Sequence, residues 1–246
     1  MWVPESVKFC NNNFQIRLLS FNCRETDPGL RSYVKWLGTK STGMNYLAHL
    51  YLSGESDEVK LGNFIGDFVK GNKYQNYPGQ VAFGIKLHRS IDTFTDGHPD
   101  VKTCTNFLKP GYGRHAGIVS DVFFDHFLAA NWTDYSTVSL RQFAKHVHAV
   151  LLSNFGMLPF RVKQFLPFLI QHKRLESYAK IENLFQVLEI MSRHTSLPTK
   201  STWAIEMLNK EYVQFEILFR RFFSELTAYV ETDFNIEILK PSTCPK

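Results

Sequence analysis

Residues 200–231 read KSTWAIEMLNKEYVQFEILFRRFFSELTAYVE, and this stretch is the clearest indicator of the fold class. Its large apolar side chains recur every three or four residues, which is the spacing of one face of an α-helix. The positions that follow this spacing are Trp203, Met207, Tyr212, Phe215, Leu218, Phe219, Phe222 and Leu226. The pattern predicts one long amphipathic helix over residues 200–231, packed through large aromatic rings.

The same helical spacing extends toward the N-terminus as far as Met44. It predicts further helices over residues 57–72, 79–96, 114–132, 138–152, 159–175 and 177–193. A turn at Gly97-His98-Pro99 follows the second of these, and no helix is predicted between that turn and residue 114. Because no segment alternates like a strand, we predict an all-α fold with a single helical domain over residues 44–231 and a C-terminal tail over 232–246.

The composition excludes several classes of protein. Of the 246 residues, 44% are hydrophobic and 21% are charged, which is not the composition of a disordered chain. No run of roughly 18 apolar residues occurs, so neither a membrane-spanning helix nor a membrane partner is predicted. The net charge of +5 is too small to indicate a nucleic-acid partner. The four cysteines form no CxxC pair, which favours a reducing cytoplasm.

Residues 1–43 show no sustained spacing and differ from the rest of the chain. We expect an extension outside the helical domain, either a disordered tail or a start-site artefact with Met44 as the biological start. A transit peptide is the weaker alternative, because acidic residues interrupt the basic ones.

Acidic residues among apolar neighbours are the main indication of chemistry, since the common catalytic motifs are absent. Eight of the ten aspartates fall within residues 44–139. The strongest case is the run SDVFFDHFL at 120–128, in which Asp121 and Asp125 stand four residues apart. Like charges at that spacing repel each other on a helix, and a divalent cation or a shared proton would remove the penalty.

Three further side chains extend this pattern. His88 and Asp92 are four residues apart and face one side of a helix, which suits either a metal site or an intrahelical hydrogen bond. Asp67 lies in the glycine-containing run GNFIGDFV, either near a ligand or on the helix surface. His49 lies in an apolar turn, where a hydrogen-bonded core histidine is the simpler interpretation. Carboxylates and imidazoles together suit Mn²⁺, Mg²⁺, iron or Zn²⁺, and a site of this kind fits hydrolysis of a phosphate ester.

Four sequence blocks resemble one known family. They are MNYLAHL at 44–50, GNFIGDFVKG at 62–71, HRSID at 88–92 followed by Thr95-Asp96, and DVFFDHFL at 121–128. Their order and spacing resemble the acyl carrier protein phosphodiesterases from Met44 to about residue 230. The resemblance implies a fold like that of the helical HD-type phosphohydrolases. It also implies hydrolysis of the phosphodiester that joins 4′-phosphopantetheine to a serine of holo acyl carrier protein.

The resemblance also implies roles for individual residues. It predicts the metal ligands Asp67, His88, Asp125 and His126, and the catalytic residues His49, Asp92 and Asp121. It further predicts that Arg89 and Arg193 contact the phosphate. The expected metal is Mn²⁺, with Mg²⁺ or Fe²⁺ as alternatives. A water activated by the metal would attack the phosphorus and displace the serine oxygen, while His49 or Asp92 manages the protons.

Residues 140–182 hold seven basic and two acidic residues. Because carrier proteins are strongly acidic, this stretch either docks the holo acyl carrier protein or is an ordinary solvated helix face. Two other functions remain open at this point. One is a phosphohydrolase of a nucleotide or another small phosphoester, and the other is a non-enzymatic helical module that binds a carrier protein.

Overall fold

The computed structural model describes residues 46–241, which form twelve α-helices and contain no strand. The helices are α1 (Tyr46–Tyr51), α2 (Asp57–Ile65), α3 (Gly79–Gly97), α4 (Pro99–Tyr112), α5 (Ala116–Ala130), α6 (Trp132–Tyr135), α7 (Leu140–Ser153), α8 (Phe160–Gln171), α9 (Arg174–Ser177), α10 (Ile181–His194), α11 (Ser201–Lys210) and α12 (Tyr212–Phe234). The prediction of a single all-α domain is confirmed. The predicted extension over residues 1–43 lies outside the described residues.

Helix α5 lies at the centre of the core. All of its residues from Val119 to Ala129 are buried, as expected for a helix that is apolar on nearly every side. It packs against α1, α4, α10 and α12. Its phenylalanines meet those of α12, with Phe123 edge-on to Phe215 at 5.5 Å and Phe124 stacked on Phe222 at 5.3 Å between ring centroids. Aspartates on α5 are therefore held inside an aromatic core.

Helices α2 and α3 pack with their backbones in contact. A Cβ atom on Gly62 would lie 2.0 Å from the carbonyl oxygen of Val81, and one on Gly84 would lie 2.3 Å from that of Val59. Only glycine permits this approach, because any side chain would collide with the opposite backbone. The close pairing carries the end of α2 and the turn after it directly against α3.

The observed helices differ from the predicted ones in several places. The helix predicted over 159–175 ends at Gln171, and the helix predicted over 177–193 begins at Ile181. The predicted helix over 200–231 is two helices, α11 and α12, separated at Glu211, whose ψ of 22° departs from helical geometry. The predicted helix over 57–72 ends at Ile65 and continues as short 3₁₀ turns. Helix α4 was not predicted. It begins at Pro99, and the missing N–H of proline breaks no helical hydrogen bond at this first position. The side chain of His98 accepts a hydrogen bond from the backbone N–H of Asp100.

The described part of the C-terminal segment packs on the domain. Helix α12 continues to Phe234, and Ile238 beyond it is buried in the core. None of the described helices combines the length and the apolar character needed to cross a membrane.

Candidate metal centre

Two histidines and one aspartate converge beside the core, and we call them the His–Asp cluster: His49 of α1 with His88 and Asp92 of α3. One ligand atom from each lies within 4.8 Å of the others. The two imidazole rings stack with their centroids 4.2 Å apart. His49 Nε2 lies 3.3 Å from Asp92 Oδ1, and His88 Nε2 lies 3.3 Å from Asp92 Oδ2. One carboxylate therefore faces both rings.

The turn after α2 brings a second carboxylate to the cluster. Asp67 lies in the 3₁₀ turn Gly66–Phe68, and its Oδ1 is 3.6 Å from His88 Nε2. Gly66 makes this approach possible, because a Cβ atom there would lie 2.3 Å from the His88 ring. Both histidines are buried, whereas the Asp92 side chain is 31% exposed. The cluster therefore opens to solvent on the side of Asp92.

Asn63 fixes the orientation of His49. Its amide nitrogen donates to the backbone oxygen of His49 at 2.8 Å and to Ser53 Oγ at 3.0 Å. Its amide oxygen therefore faces the ring and accepts from His49 Nδ1 at 2.8 Å. An amide oxygen is only an acceptor, so Nδ1 carries a proton, and in the neutral ring Nε2 presents a lone pair to Asp92.

The donor atoms of the cluster fit a divalent cation. His49 Nε2 and both ring nitrogens of His88 are buried without a hydrogen-bond partner among the described residues. A lone pair on His49 Nε2 facing a carboxylate oxygen is unfavourable unless a positive charge lies between them. Imidazole nitrogens with carboxylate oxygens are a donor set that Mn²⁺, iron and Zn²⁺ accept.

Two aspartates of the site have pKa values shifted in opposite directions. Burial raises the pKa of Asp121 on α5 well above its ordinary value, and the carboxylates of Asp92, Asp125, Asp96 and Asp67 raise it further. Burial also raises the pKa of Asp92, but the protonated form of His49, which would donate to Asp92, together with the charges of His88 and Lys70, outweighs it and lowers the pKa overall. One buried carboxyl therefore favours its protonated form beside one that stays ionised.

Asp125 acts on the backbone of α1. Its two carboxylate oxygens accept hydrogen bonds from the N–H groups of Leu47 and Ala48, at 3.3 and 3.2 Å. These N–H groups belong to the first turn of α1, which has no internal acceptor for them. Burial raises the pKa of Asp125, and the two hydrogen bonds offset part of that rise. Asp125 thus anchors the helix that carries His49.

The structure does not bring His126 to the cluster. Its Nδ1 contacts the carbonyl oxygen of Tyr178 at 2.8 Å, and its Nε2 contacts the hydroxyl of Tyr212 at 3.1 Å. Adjacent residues of a helix point about 100° apart, so His126 cannot share the direction of Asp125. Both ring nitrogens are therefore engaged away from the cluster.

The two arginines predicted to contact phosphate have other partners. Arg89 Nη2 donates to the backbone oxygens of Val69 at 2.7 Å and Gly71 at 2.8 Å, which lie just after Asp67. Arg193 is exposed and lies 3.7 Å from Glu189 on its own helix. The contacts of Arg89 brace the segment that positions Asp67.

Asn63, Ser53 and Gly66 contribute to the site but were not identified from the sequence. The sequence indicated this part of the site through one polar amide and two glycines inside the apolar run 61–69. Glycine indicated a close approach, but which group approaches Gly66 depends on the pairing of α2 with α3.

Two buried histidines and a carboxylate that converge within an all-helical fold define a helical protein with a candidate divalent-cation centre. Residues 44–226 match the family model described as acyl carrier protein phosphodiesterase. The chain belongs to the acyl carrier protein phosphodiesterase family, as its four sequence blocks indicated.

Several bacterial proteins named acyl carrier protein phosphodiesterase are similar to this chain. The protein from Pectobacterium atrosepticum is 30% identical over 190 residues, which cover 77% of this chain and 98% of the relative. Those from Photorhabdus laumondii and an Enterobacter species are 33% and 34% identical, covering 73% and 74% of this chain and 91% and 95% of the relatives. No solved structure matches this chain, so the relation to the HD-type fold stays a prediction.

Proposed function

We propose that this chain is a metal-dependent phosphodiesterase that converts holo acyl carrier protein to the apo form and releases 4′-phosphopantetheine. The observation that carries the proposal is the His–Asp cluster, in a chain that belongs to the acyl carrier protein phosphodiesterase family. The absence of a CxxC pair favours a reducing compartment, so we also propose that it acts in the cytoplasm. Because the net charge is only +5 and the sequence has no long apolar run, we propose neither a nucleic-acid nor a membrane partner.

The cation would be held by His49, His88 and Asp92, with Asp67 as the additional carboxylate. We propose Mn²⁺, with Mg²⁺ or Fe²⁺ as alternatives, because two imidazoles suit Mn²⁺ and Fe²⁺ better than Mg²⁺. When bound, the cation would lower the pKa of water and offset negative charge on the phosphoryl oxygens.

The side chains of the site would then manage the protons. Water adds to the phosphorus, the bond from phosphorus to the serine oxygen breaks, and that oxygen must gain a proton. Asp121, whose pKa is raised by burial, favours the protonated form and would supply this proton. Asp92, the partly exposed member of the cluster, would accept the proton of the attacking water through the carboxylate oxygen that does not hold the cation.

The test is intact-mass analysis of holo acyl carrier protein incubated with the enzyme and Mn²⁺, with and without a chelator. We expect conversion of the holo mass to the apo mass with Mn²⁺ and none with the chelator. Asp92→Asn and Asp121→Asn should each reduce conversion by at least about 100-fold. Asp134→Asn is the matched control, because Asp134 is an exposed aspartate paired with Arg220.

Two outcomes would contradict this proposal. Unchanged holo carrier protein in every Mn²⁺ reaction would exclude the activity, and a panel of small phosphodiesters would then identify the alternative phosphohydrolase. Full conversion by both Asp92→Asn and Asp121→Asn would retain the activity but exclude the proposed roles of these side chains.

A further inference from the structure

Two segments without acidic residues meet beside the candidate metal centre. Residues 68–91 contain Lys70, Lys73, Lys86 and Arg89 and no aspartate or glutamate. Residues 135–175 contain six lysines and arginines and likewise no acidic residue. The segments come together at a groove of about 390 Å³, lined on one side by residues from Phe68 to Pro78 and on the other by Met157 and Pro159.

Exposed apolar side chains lie at this groove and beside its lining residues in the chain. Met157, which lines the groove, is 37% exposed, and Phe155, two residues earlier in the connection from α7 to α8, is 45% exposed. Phe160, the first residue of α8, follows the lining residue Pro159 and is 72% exposed. Lys73 lines the groove from the opposite side, and Lys163 Nζ lies 5.4 Å from the centre of the Phe155 ring. Large exposed apolar side chains that are close together and surrounded by polar groups are typical of a protein interaction site. We call Lys73, Phe155, Met157 and Phe160 the docking corner.

The groove is adjacent to the metal centre in the chain and in space. Phe68 and Val69, which line it, follow Asp67 directly, and Asp67 Oδ1 lies 3.6 Å from His88 Nε2. The phosphodiester to be cleaved is attached to a serine side chain of the carrier protein. Its phosphorus therefore lies only a few bonds from the carrier backbone, and the carrier surface must contact the enzyme immediately beside the cluster.

We infer that the docking corner binds the acyl carrier protein, an inference that rests on the proposed function. An exposed apolar side chain of the carrier would pack on Phe155, Met157 and Phe160, while its acidic groups would face Lys73 and the surrounding basic residues. The docking corner is a smaller surface than the basic stretch 140–182 taken as a whole. Arg174 of that stretch is buried with its guanidinium 4.7 Å from the Phe168 ring centre, so it offers no free charge to a partner.

The test measures binding of fluorescently labelled apo acyl carrier protein to the full chain, with Kd obtained at several salt concentrations. The apo form lacks the phosphopantetheine arm, so its binding reports contact between the two proteins and does not depend on catalysis. Phe160→Ser and Lys73→Glu should each raise Kd about tenfold. Lys73→Glu should also make Kd less dependent on salt.

Matched controls are available on other surfaces. Val213, on α12, is 68% exposed, and Lys109 is an exposed lysine of α4. Val213→Ser and Lys109→Glu should leave Kd within about twofold of the wild-type value, because surface substitutions outside an interface have small effects. Circular dichroism of every variant checks that the helical fold is retained.

The outcomes separate this inference from the proposed function. If Phe160→Ser and Lys73→Glu both bind apo carrier with the wild-type Kd, the docking corner is overturned. The same conclusion follows if the control variants weaken binding equally, or if the wild-type chain does not bind apo carrier at all. Intact-mass analysis reports conversion of holo carrier separately. Conversion by the wild-type chain together with unaffected binding by the variants would leave the proposed function in place and remove only the docking corner.

Discussion

At the scale of single residues, Asn63 determines the chemistry that His49 can perform. Its amide oxygen accepts a hydrogen bond from His49 Nδ1, and its amide nitrogen donates to the His49 backbone oxygen and to Ser53 Oγ. These three contacts leave one tautomer of the ring, with Nε2 free to bind a cation. Groups that orient a ligating histidine in this way raise its basicity and hold its position.

Asn63→Leu should weaken activation by Mn²⁺. Leucine has a similar volume but cannot accept a hydrogen bond from Nδ1, so the His49 ring loses the contact that fixes its tautomer. We expect the Mn²⁺ concentration for half-maximal activity to rise about 10- to 100-fold. The measurement is a Mn²⁺ titration of carrier conversion, with Asn106→Leu on the exposed face of α4 as the control. An unchanged titration curve would remove this role from Asn63.

Arg89 should affect catalysis through the position of Asp67. Its Nη2 atom donates to both Val69 and Gly71, and lysine, with a shorter side chain and no rigid guanidinium, does not hold a donor at this position. Arg89→Lys should lower kcat about tenfold and leave KM for holo carrier within about twofold, because a misplaced carboxylate slows the reaction. A phosphate-binding arginine would instead raise KM. Steady-state kinetics on holo carrier protein distinguish the two results.

At the scale of helices, a salt bridge joins the start of α4 to α12. Arg221 donates to both carboxylate oxygens of Asp100, and the His98 side chain accepts from the Asp100 backbone N–H. The hydrogen bond from Arg221 is the main reason that the pKa of Asp100 lies below its ordinary value. The carboxylate is thus favoured in the folded state.

Asp100→Asn should lower the thermal midpoint at neutral pH but not at strongly acidic pH. Because the pKa is lower in the folded state, the stabilisation is complete above the unfolded value of 3.8 and is lost as pH falls through the folded pKa. The difference in Tm between wild type and Asp100→Asn should therefore shrink as pH falls from 7 to 3. Thermal melts across this range test it, with Asp134→Asn as an exposed control. A constant difference would contradict the linkage.

The sequence predicted those features that depend on one continuous helical pattern. The helix predicted over 79–96 is observed as Gly79–Gly97, and His88 and Asp92 share one face as their spacing required. The resemblance implied that His126 is a metal ligand, but its ring nitrogens contact Tyr178 and Tyr212, since neighbouring residues of a helix point in different directions. The break at Glu211 and the contact between Asn63 and His49 depend on tertiary packing, which the local pattern does not contain.

At the scale of the whole molecule, the candidate metal centre joins segments that are far apart in the chain. His49 comes from α1, Asp67 from the turn after α2, and His88 and Asp92 from α3, with Asp121 of α5 buried beside them. Their carboxylates raise the pKa of Asp121, so without a cation the repulsion between these groups disfavours the ionised form of Asp121. A divalent cation would offset that repulsion and connect these helices.

Mn²⁺ should therefore raise the melting temperature of protein first treated with chelator. A ligand at 100 times its Kd stabilises the folded state by about 2.7 kcal/mol. In a protein of this size each kcal/mol shifts Tm by about 2–4 °C, so we expect a rise of roughly 5–10 °C. His88→Ala should abolish most of this rise, since it removes one of the two imidazole donors, whereas Val213→Ser should retain it.

The stability of the metal-free protein provides an internal check, because removing the charge of Asp121 should not lower it. A carboxyl whose pKa is raised in the folded state contributes stability that is lost as pH rises above its unfolded value, so Asp121 makes the metal-free protein less stable at neutral pH. Asp121→Asn should then melt at or above the wild-type temperature in chelator, while it fails to convert holo carrier. If this variant melts well below wild type in chelator, the repulsion is not present. If Mn²⁺ leaves the wild-type Tm unchanged, the His–Asp cluster does not hold this cation.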